Sequence, residues 1–369
     1  MFTAKRLAPL FLVLLTVVGA APVAKALNDS ERPGSVLVFP YFQRGTITTT
    51  NFGDQPITLF EISVICPKGS TCIDGQDIDI RIEWVCKGNV SSNSPCQENS
   101  AILHTTVNGT ISFGALNTSS ACTPTPQAQE PSEGCGTVPV PPCSNGYLLA
   151  FVVSEFGTPI KFDGLTGDAI VRLGGTFGNT LSPDVASGYK AIPIQAGPGL
   201  STGSSTVSGL PANELEFNGS NYQGVTGKII ESVRYPFFNA AGSELVQTDL
   251  ILLTLNTISN RVNFDTDVDF NFYNDVEELT GASTSFNCWT RFDINNLGLS
   301  GSTPVSKGVF FSTSAAKVAS FGVADTAGNV TLLGLILVSE FDATTGDLLA
   351  QYFVPLLNNG TFVDADYKL

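Results

Sequence analysis

Apolar and polar residues in this chain alternate one for one far more often than they recur at a helical spacing. Ile78, Ile80, Ile82, Trp84 and Cys86 interleave with Asp79, Arg81 and Glu83, the pattern of a half-buried strand. Phe264, Thr266, Val268, Phe270 and Phe272 interleave with Asp265, Asp267, Asp269 and Asn271 in the same way. The runs 147–153 and 332–338 are short, apolar and bounded by turn residues, and read as buried strands. No stretch combines a 3.6-residue period with caps. With 36 Gly and 21 Pro to turn the chain, the pattern predicts an all-β fold of antiparallel sandwiches, Ig-like or jelly-roll-like. Trp84 falls on the apolar face of its strand and is expected in the core.

Three short motifs recur in the same order. Phe39-Pro40-Tyr41-Phe42 returns as Tyr235-Pro236-Phe237-Phe238, and Val153-Ser154-Glu155-Phe156 returns as Val338-Ser339-Glu340-Phe341. Thr166-Gly167-Asp168 returns as Thr345-Gly346-Asp347. An ordered set of repeats predicts an internal duplication, with two tandem sandwich domains at 27–195 and 228–369. Between them, 196–227 is rich in Gly, Ser, Thr and Asn and reads as a linker or long loop. A Cys- and Pro-rich insert, 118–145, is an excursion of the first domain.

The start of the chain adds a compartment. Lys5 and Arg6 precede a short apolar run, and small residues lead to Ala24-Lys25-Ala26, so 1–26 reads as a secretory signal peptide. The run is too short for a spanning helix; the expectation is a secreted or cell-surface protein with no membrane span. Cleavage removes Lys5, Arg6 and Lys25, which takes the formal charge from −15 to −18. That surface repels phosphate backbones and argues against nucleic acid.

Eight cysteines, at 66, 72, 86, 96, 122, 135, 143 and 288, lack zinc-knuckle spacing and read as disulfides in an exported chain. The expectation is Cys66–Cys72 and Cys86–Cys96 as local staples. Two of Cys122, Cys135 and Cys143 then pair in their loop, and the last of these and Cys288 stay unassigned.

One stretch carries a resemblance. Gly146-Tyr147-Leu148-Leu149-Ala150-Phe151-Val152-Val153 is followed by Pro159-Ile160-Lys161-Phe162-Asp163-Gly164-Leu165-Thr166-Gly167-Asp168-Ala169-Ile170. Ala191-Ile192-Pro193-Ile194-Gln195 comes after it. These segments resemble uncharacterised exported β-sandwich proteins of environmental bacteria. The resemblance implies a fold and an exported life, and brings no activity with it; the 118–145 insert departs from the pattern.

Catalytic parts are few. His104 is the single histidine. Gly199-Leu200-Ser201-Thr202-Gly203 matches a nucleophile elbow, but it leads into a flexible stretch and reads as linker. Glu155 with Asp163 or Asp168, and Glu340 with Asp342 or Asp347, are carboxylate pairs that a glycoside hydrolase would need; turn chemistry explains them more simply. No cofactor is expected. Calcium is a candidate at Asp74, Asp77 and Asp79, whereas Asp265, Asp267 and Asp269 lack the Gly and Glu of an EF-hand loop. Sequons stand at Asn28, Asn89, Asn108, Asn117, Asn218, Asn329 and Asn359.

The strongest binding candidate is a strand pair, 264–273 with 286–294, joined as a hairpin. It would set Trp289 and Arg291 on an outward face beside Asp267, Asp269 and Asn271, able to hold a sugar ring or a partner's side chain. The competing reading is a cross-strand salt bridge with Trp289 covered by a loop or the other domain. The expected function is a non-catalytic extracellular or cell-surface structural or adhesive protein, self-assembling through edge strands. The alternatives are a carbohydrate- or ligand-binding module with a glycan partner, and a glycoside hydrolase. One route to assembly is donation of Val36, Leu37, Val38 and Phe39 to a neighbour's sheet edge; the other reading keeps that strand in its own sheet.

Overall fold

The computed structural model describes residues 32–45, 56–67, 70–73, 75–87, 96–124, 134–173, 176–177, 180–181, 185–196, 215–217, 221–223, 225, 229–233, 237–238, 244–255, 265–273, 279–297, 309–318 and 332–356. The signal peptide, Ser201 and Asp74 lie outside the described residues, as do the sequons at Asn28, Asn89, Asn218, Asn329 and Asn359.

The first part of the chain forms β1 (Val36–Gln43), β2 (Ile57–Val64), β3 (Asp77–Cys86), β4 (Glu98–Thr106), β5 (Thr110–Gly114), β6 (Ser120–Ala121) and β7 (Thr123–Pro124). It continues with β8 (Thr137–Val138), β9 (Asn145–Val153), β10 (Leu165–Leu173), β11 (Thr176–Phe177), β12 (Thr180–Leu181), β13 (Val185–Lys190) and β14 (Ile192–Ile194). The second part adds β15 (Ile230–Val233), β16 (Phe237–Phe238), β17 (Glu244–Thr254), β18 (Asp265–Tyr273), β19 (Leu279–Phe286) and β20 (Trp289–Asp293). It ends with β21 (Val309–Val318), β22 (Leu332–Phe341) and β23 (Leu348–Leu356), and a single 3-10 turn at Ile294–Leu297 follows β20. The all-β expectation holds.

Four main sheets stack as layers. An outer sheet of order β13-β10-β2-β5-β7 covers an inner sheet of order β14-β1-β9-β3-β4. The second half is also two-layered, with an inner sheet β16-β17-β22-β23, to which β20 adds along β17, and an outer sheet β15-β21-β18-β19. The ladders are antiparallel. Between the first two layers lies an aromatic core: Phe42 and Phe60 meet Trp84 at 4.9 and 5.6 Å, and Phe60 stacks on Phe113 at 5.4 Å. Trp84 is fully buried, as its strand pattern requires.

The two inner sheets pack on each other. Ile251, Leu253, Leu333, Leu335 and Leu337 join the core of the first half, while Leu250, Leu252, Leu332, Ile336 and Val338 face the other way into a second core. Strands with a core on each side need apolar residues at every position, which is why 147–153 and 332–338 do not alternate. Strands of the outer layers, such as β2, do alternate.

β1 lies inside its own sheet, paired with β14 on one side and β9 on the other. Its burial is complete from Val36 to Phe42. The structure thus supports the second reading, in which Val36–Phe39 stays in its own sheet; removing the strand would open the first core, to which its apolar residues belong.

Of the repeated motifs, one pair occupies like places and another does not. Val153 and Val338 both end or nearly end an apolar inner strand. Thr345, Gly346 and Asp347 form a turn in which Gly346 has a positive φ of 75° and Asp342 accepts hydrogen bonds from the Thr344 and Thr345 amides. Thr166, Gly167 and Asp168 instead lie inside β10. Turn chemistry does not explain Gly167; a Cβ there would come within 2.7 Å of the Phe39 ring. Tyr235 and Pro236 lie outside the described residues.

Within the segment read as linker, Leu215, Phe217, Tyr222 and Val225 are buried in the first core. Tyr222 bridges to Ala196, and the Gln223 amide donates to the Gln195 carbonyl at 2.8 Å. Apolar residues spaced among the small ones dock this part of the segment.

Candidate functional site

The eight cysteines form four disulfides, and none is free. Cys66–Cys72 matches expectation, and Cys122–Cys135 is the pair formed inside the insert. Cys86–Cys96 is corrected. β9 lies beside β3 with Gly146 opposite Cys86, so Cys143, just before β9, is delivered to Cys86 with the Cα atoms 6.0 Å apart. Cys96 is thereby left to Cys288, 6.2 Å away between Cα atoms, and this bond joins the two halves. The insert is further fixed by its proline-rich carbonyls: Trp84 Nε1 donates to Pro139 O at 3.1 Å and Arg44 Nη1 to Pro141 O at 2.9 Å.

The predicted Trp289 face is also corrected. β18 forms its hairpin with β19, so that Asp267 lies opposite Ser285 and Asp269 opposite Ser283. At Asn287 and Cys288 the chain turns a corner, with Cys288 at a φ of 59°, and leaves the outer sheet. β20 then pairs with β17 in the inner sheet, placing Trp289 opposite Leu253 and Arg291 opposite Ile251. Trp289 is 5% exposed. It stacks on Tyr41 with ring centroids 6.3 Å apart and donates its indole N–H to Pro40 O at 2.9 Å. The competing reading, a tryptophan covered by the other half, is the one that the packing supports.

Arg291 meets Asp249 rather than Asp267. Its Nε donates to Asp249 Oδ2 at 2.7 Å, Nη2 lies 2.5 Å from the same oxygen, and Nη1 donates to the Tyr41 hydroxyl at 3.2 Å. The guanidinium also sits over the Tyr41 ring, 5.7 Å from its centroid. Burial raises the Tyr41 phenol, a shift that the Arg291 charge partly offsets. The Arg291 guanidinium is held above its ordinary value by the Tyr41 and Asp249 groups, although burial acts against it. These groups satisfy one another, so the seam is a joint.

Asp267, Asp269 and Asn271 occupy the far side of β18, opposite buried Val268, Phe270 and Phe272. Asp267 accepts a hydrogen bond from Ser285 Oγ. The structure thus separates these three from Trp289 and Arg291 by a whole core.

Of the calcium candidates, Asp77 is exposed and Asp79 is engaged by His104 Nδ1 at 2.7 Å. Asp77, Asp79 and Glu155 line one small pocket of about 190 Å³. Among the described residues no three His, Cys, Asp or Glu side chains converge as a metal-holding group. A larger groove of about 480 Å³ runs between β10, β13 and β14 on one side and β23 on the other, with Tyr189 and Phe353 in its wall and Asp168 and Lys190 beside them. Among the described residues no helix is long and apolar enough to cross a membrane.

No family model matches the chain, and no curated protein matches it. Among solved structures, the CFA/I adhesin CfaE of enterotoxigenic E. coli, in a mutant form, aligns over 86% of this chain and 91% of its own. Its identity is 10% and its TM-score 0.16. Two β-glucuronidase structures from Bacteroides uniformis align over 90% of this chain at 12% identity with a TM-score of 0.11, the chain spanning 27% of their length. At these scores none of them carries an argument about this protein.

Sequence reasoning missed Asp249 and Tyr41. Asp249 stands in Gln247-Thr248-Asp249-Leu250-Ile251, where a carboxylate beside an apolar run is a signal that a buried cation lies opposite. Tyr41 was visible as part of a repeated aromatic motif, but its partner on β20 belongs to the other half of the chain.

Proposed function

We propose that this protein is a secreted or cell-surface structural protein without catalytic activity, working as one stiff, stapled body. The observation that carries this reading is the seam. A disulfide, a stacked tryptophan and an Arg–Asp–Tyr cluster tie the two halves together, with their polar groups spent on each other. Four disulfides fit an oxidising, extracellular setting. An acidic, stapled β body suits a surface or assembly role, with association through a sheet edge such as that of β19. The test is isolation of the natively exported material followed by electron microscopy and sedimentation. The protein is expected in surface-attached or extended assemblies. Recovery as a free monomer that turns over a polysaccharide overturns the reading.

A second reading, a glycan- or ligand-binding module, draws on the 480 Å³ groove, whose size suits a small ligand. Retention on a glycan array that is lost in Lys190→Ala supports it.

A further inference from the structure

Among the described residues, Lys161 is a buried amine that pairs with no acid. It is 3% exposed, and among the described residues its polar partner is the side-chain amide of Asn221, with Nζ 3.3 Å from Oδ1. The same amide is held from its other end: Asn221 Nδ2 donates to Glu216 Oε2 at 2.7 Å. An amine, a carboxamide and a carboxylate therefore stand in a row. Their neighbours in sequence are buried, with Leu215, Tyr222 and Phe162 all at or below 2% exposure and Phe217 at 8%, while Asn221 and Glu216 are partly exposed. Docking is tight, since Tyr222 N donates to Glu216 O at 3.2 Å and Tyr222 bridges to Ala196.

We propose that Lys161 and Asn221 are a site of self-modification, joined by an intramolecular isopeptide bond whose formation Glu216 assists. Burial lowers the Lys161 amine from its ordinary value, because an ammonium without a paired charge is costly in an apolar setting. The neutral amine has a free electron pair and is a nucleophile. Oδ1 is bonded to the amide carbon, so Nζ is held next to the group it would attack, and a turn of the Asn221 side chain would bring the carbon within attack distance.

The step balances without an oxidant or a co-reactant. The Nζ electron pair attacks Cγ of Asn221, forming the N–C bond and moving the C=O pair onto Oδ1. Nζ and Nδ2 are then on one carbon. The Glu216 carboxylate, already hydrogen-bonded to Nδ2, takes a proton from the attacking nitrogen and returns it to Nδ2. The C–Nδ2 bond breaks, ammonia leaves, and the C=O bond reforms. The product is a secondary amide linking the segment after β9 to the 215–225 segment. This adds a covalent tie at a place that the disulfides do not reach.

The experiment is mass spectrometry of the full-length exported protein with its disulfides intact. The intact mass is expected to be lower by one ammonia than the disulfide-bonded sequence requires, and a proteolytic digest should contain a branched peptide joining Lys161 to Asn221. Lys161→Arg restores the missing ammonia. Glu216→Gln, which keeps the side-chain volume, should slow bond formation by about 100-fold while the four-disulfide peptide map stays unchanged. That map separates loss of chemistry from loss of fold. Full recovery of linear peptides carrying a free Lys161 and an intact Asn221 from correctly disulfide-bonded protein overturns the proposal. So does conversion of Asn221 to aspartate with Lys161 free, because water would then have been the nucleophile.

Discussion

Asp249 on β17 and Asp267 on β18 are aspartates of successive strands, yet their surroundings are opposite. Asp249 is 3% exposed, gripped by Arg291 and also accepting from Gln247 Nε2 at 2.9 Å. Asp267 lies on the outer sheet, facing away from the core, with a serine hydroxyl for company. In a two-layer sandwich an acid on a strand usually marks the wet face. In a four-layer stack the middle of an inner sheet has no wet face, so a charge there needs a partner contributed by its neighbours. The seam and the outer face thus use the same residue types for different ends: one joins, the other is solvated.

The largest expected difference is at Trp289. Replacing it with Ala empties a buried site against Tyr41 and strands the Pro40 carbonyl, and should cost about 4 kcal/mol. Urea denaturation followed by fluorescence of the remaining Trp84 measures it. A loss below about 1 kcal/mol would mean that the seam opens in solution and the comparison fails. Next is the Cys96→Ser, Cys288→Ser pair. These cysteines are 192 residues apart, so releasing them should cost about 3 kcal/mol, more than removing Cys66–Cys72, which spans 6 residues. Equal losses at the two disulfides would show that the long closure is not what stabilises the seam.

Local patterning was enough to read the all-β class, the Trp84 core position and the buried runs, because the first two follow from alternation and the runs from unbroken apolar residues between turn residues. The seam was not legible in the same way. The register placing Trp289 beside Leu253 depends on a corner at Asn287 and Cys288, and Cys288 is not a residue type that announces a positive φ. The disulfide partners were hidden for a related reason. Cys86 and Cys96 are near in sequence and β4 does run beside β3, but β9 flanks β3 on its other side and brings Cys143 to Cys86. Lys161 stood in view in the Pro159–Asp163 string, yet nothing in its neighbours in sequence could name Asn221 as its partner.

Alkaline pH should separate the regions by a smaller amount. Tyr41, Tyr147 and Tyr189 border the seam, and burial raises all three phenols above their ordinary value. A group whose folded pKa is raised stabilises fully below its unfolded pKa, about 10 for tyrosine. That stability is lost as pH rises through the folded pKa, since the unfolded chain sheds its protons first. Stability should therefore fall above about pH 10, by up to about 1.4 kcal/mol per pH unit for each phenol. Tyr147→Phe tests this, because Tyr147 makes a long hydrogen bond, 3.4 Å, to Thr254 O across the seam. The variant should lose about 0.5 kcal/mol at neutral pH and overtake the parent in denaturant titrations near pH 11. Parallel pH curves for the two proteins would detach the seam phenols from the alkaline loss.

The smallest effect belongs to the outer face. Asp267→Ala, Asp269→Ala and Asn271→Ala should each change stability by less than about 0.5 kcal/mol. Asp269 and Asn271 are exposed, and the Ser285 hydroxyl that Asp267 accepts from can turn to water. Removing a carboxylate from a chain of formal charge −15 also relieves repulsion, which offsets part of the lost hydrogen bond. The measurement is the urea midpoint of each single variant against the parent, with the slope checked for constancy. A loss above about 1 kcal/mol at Asp269 would mean that this face is covered in the native protein, as Asp249 is by Arg291. The contrast between a joining face and a solvated one would then become a contrast between two joining faces, with the second partner still to be found on the outside of β18.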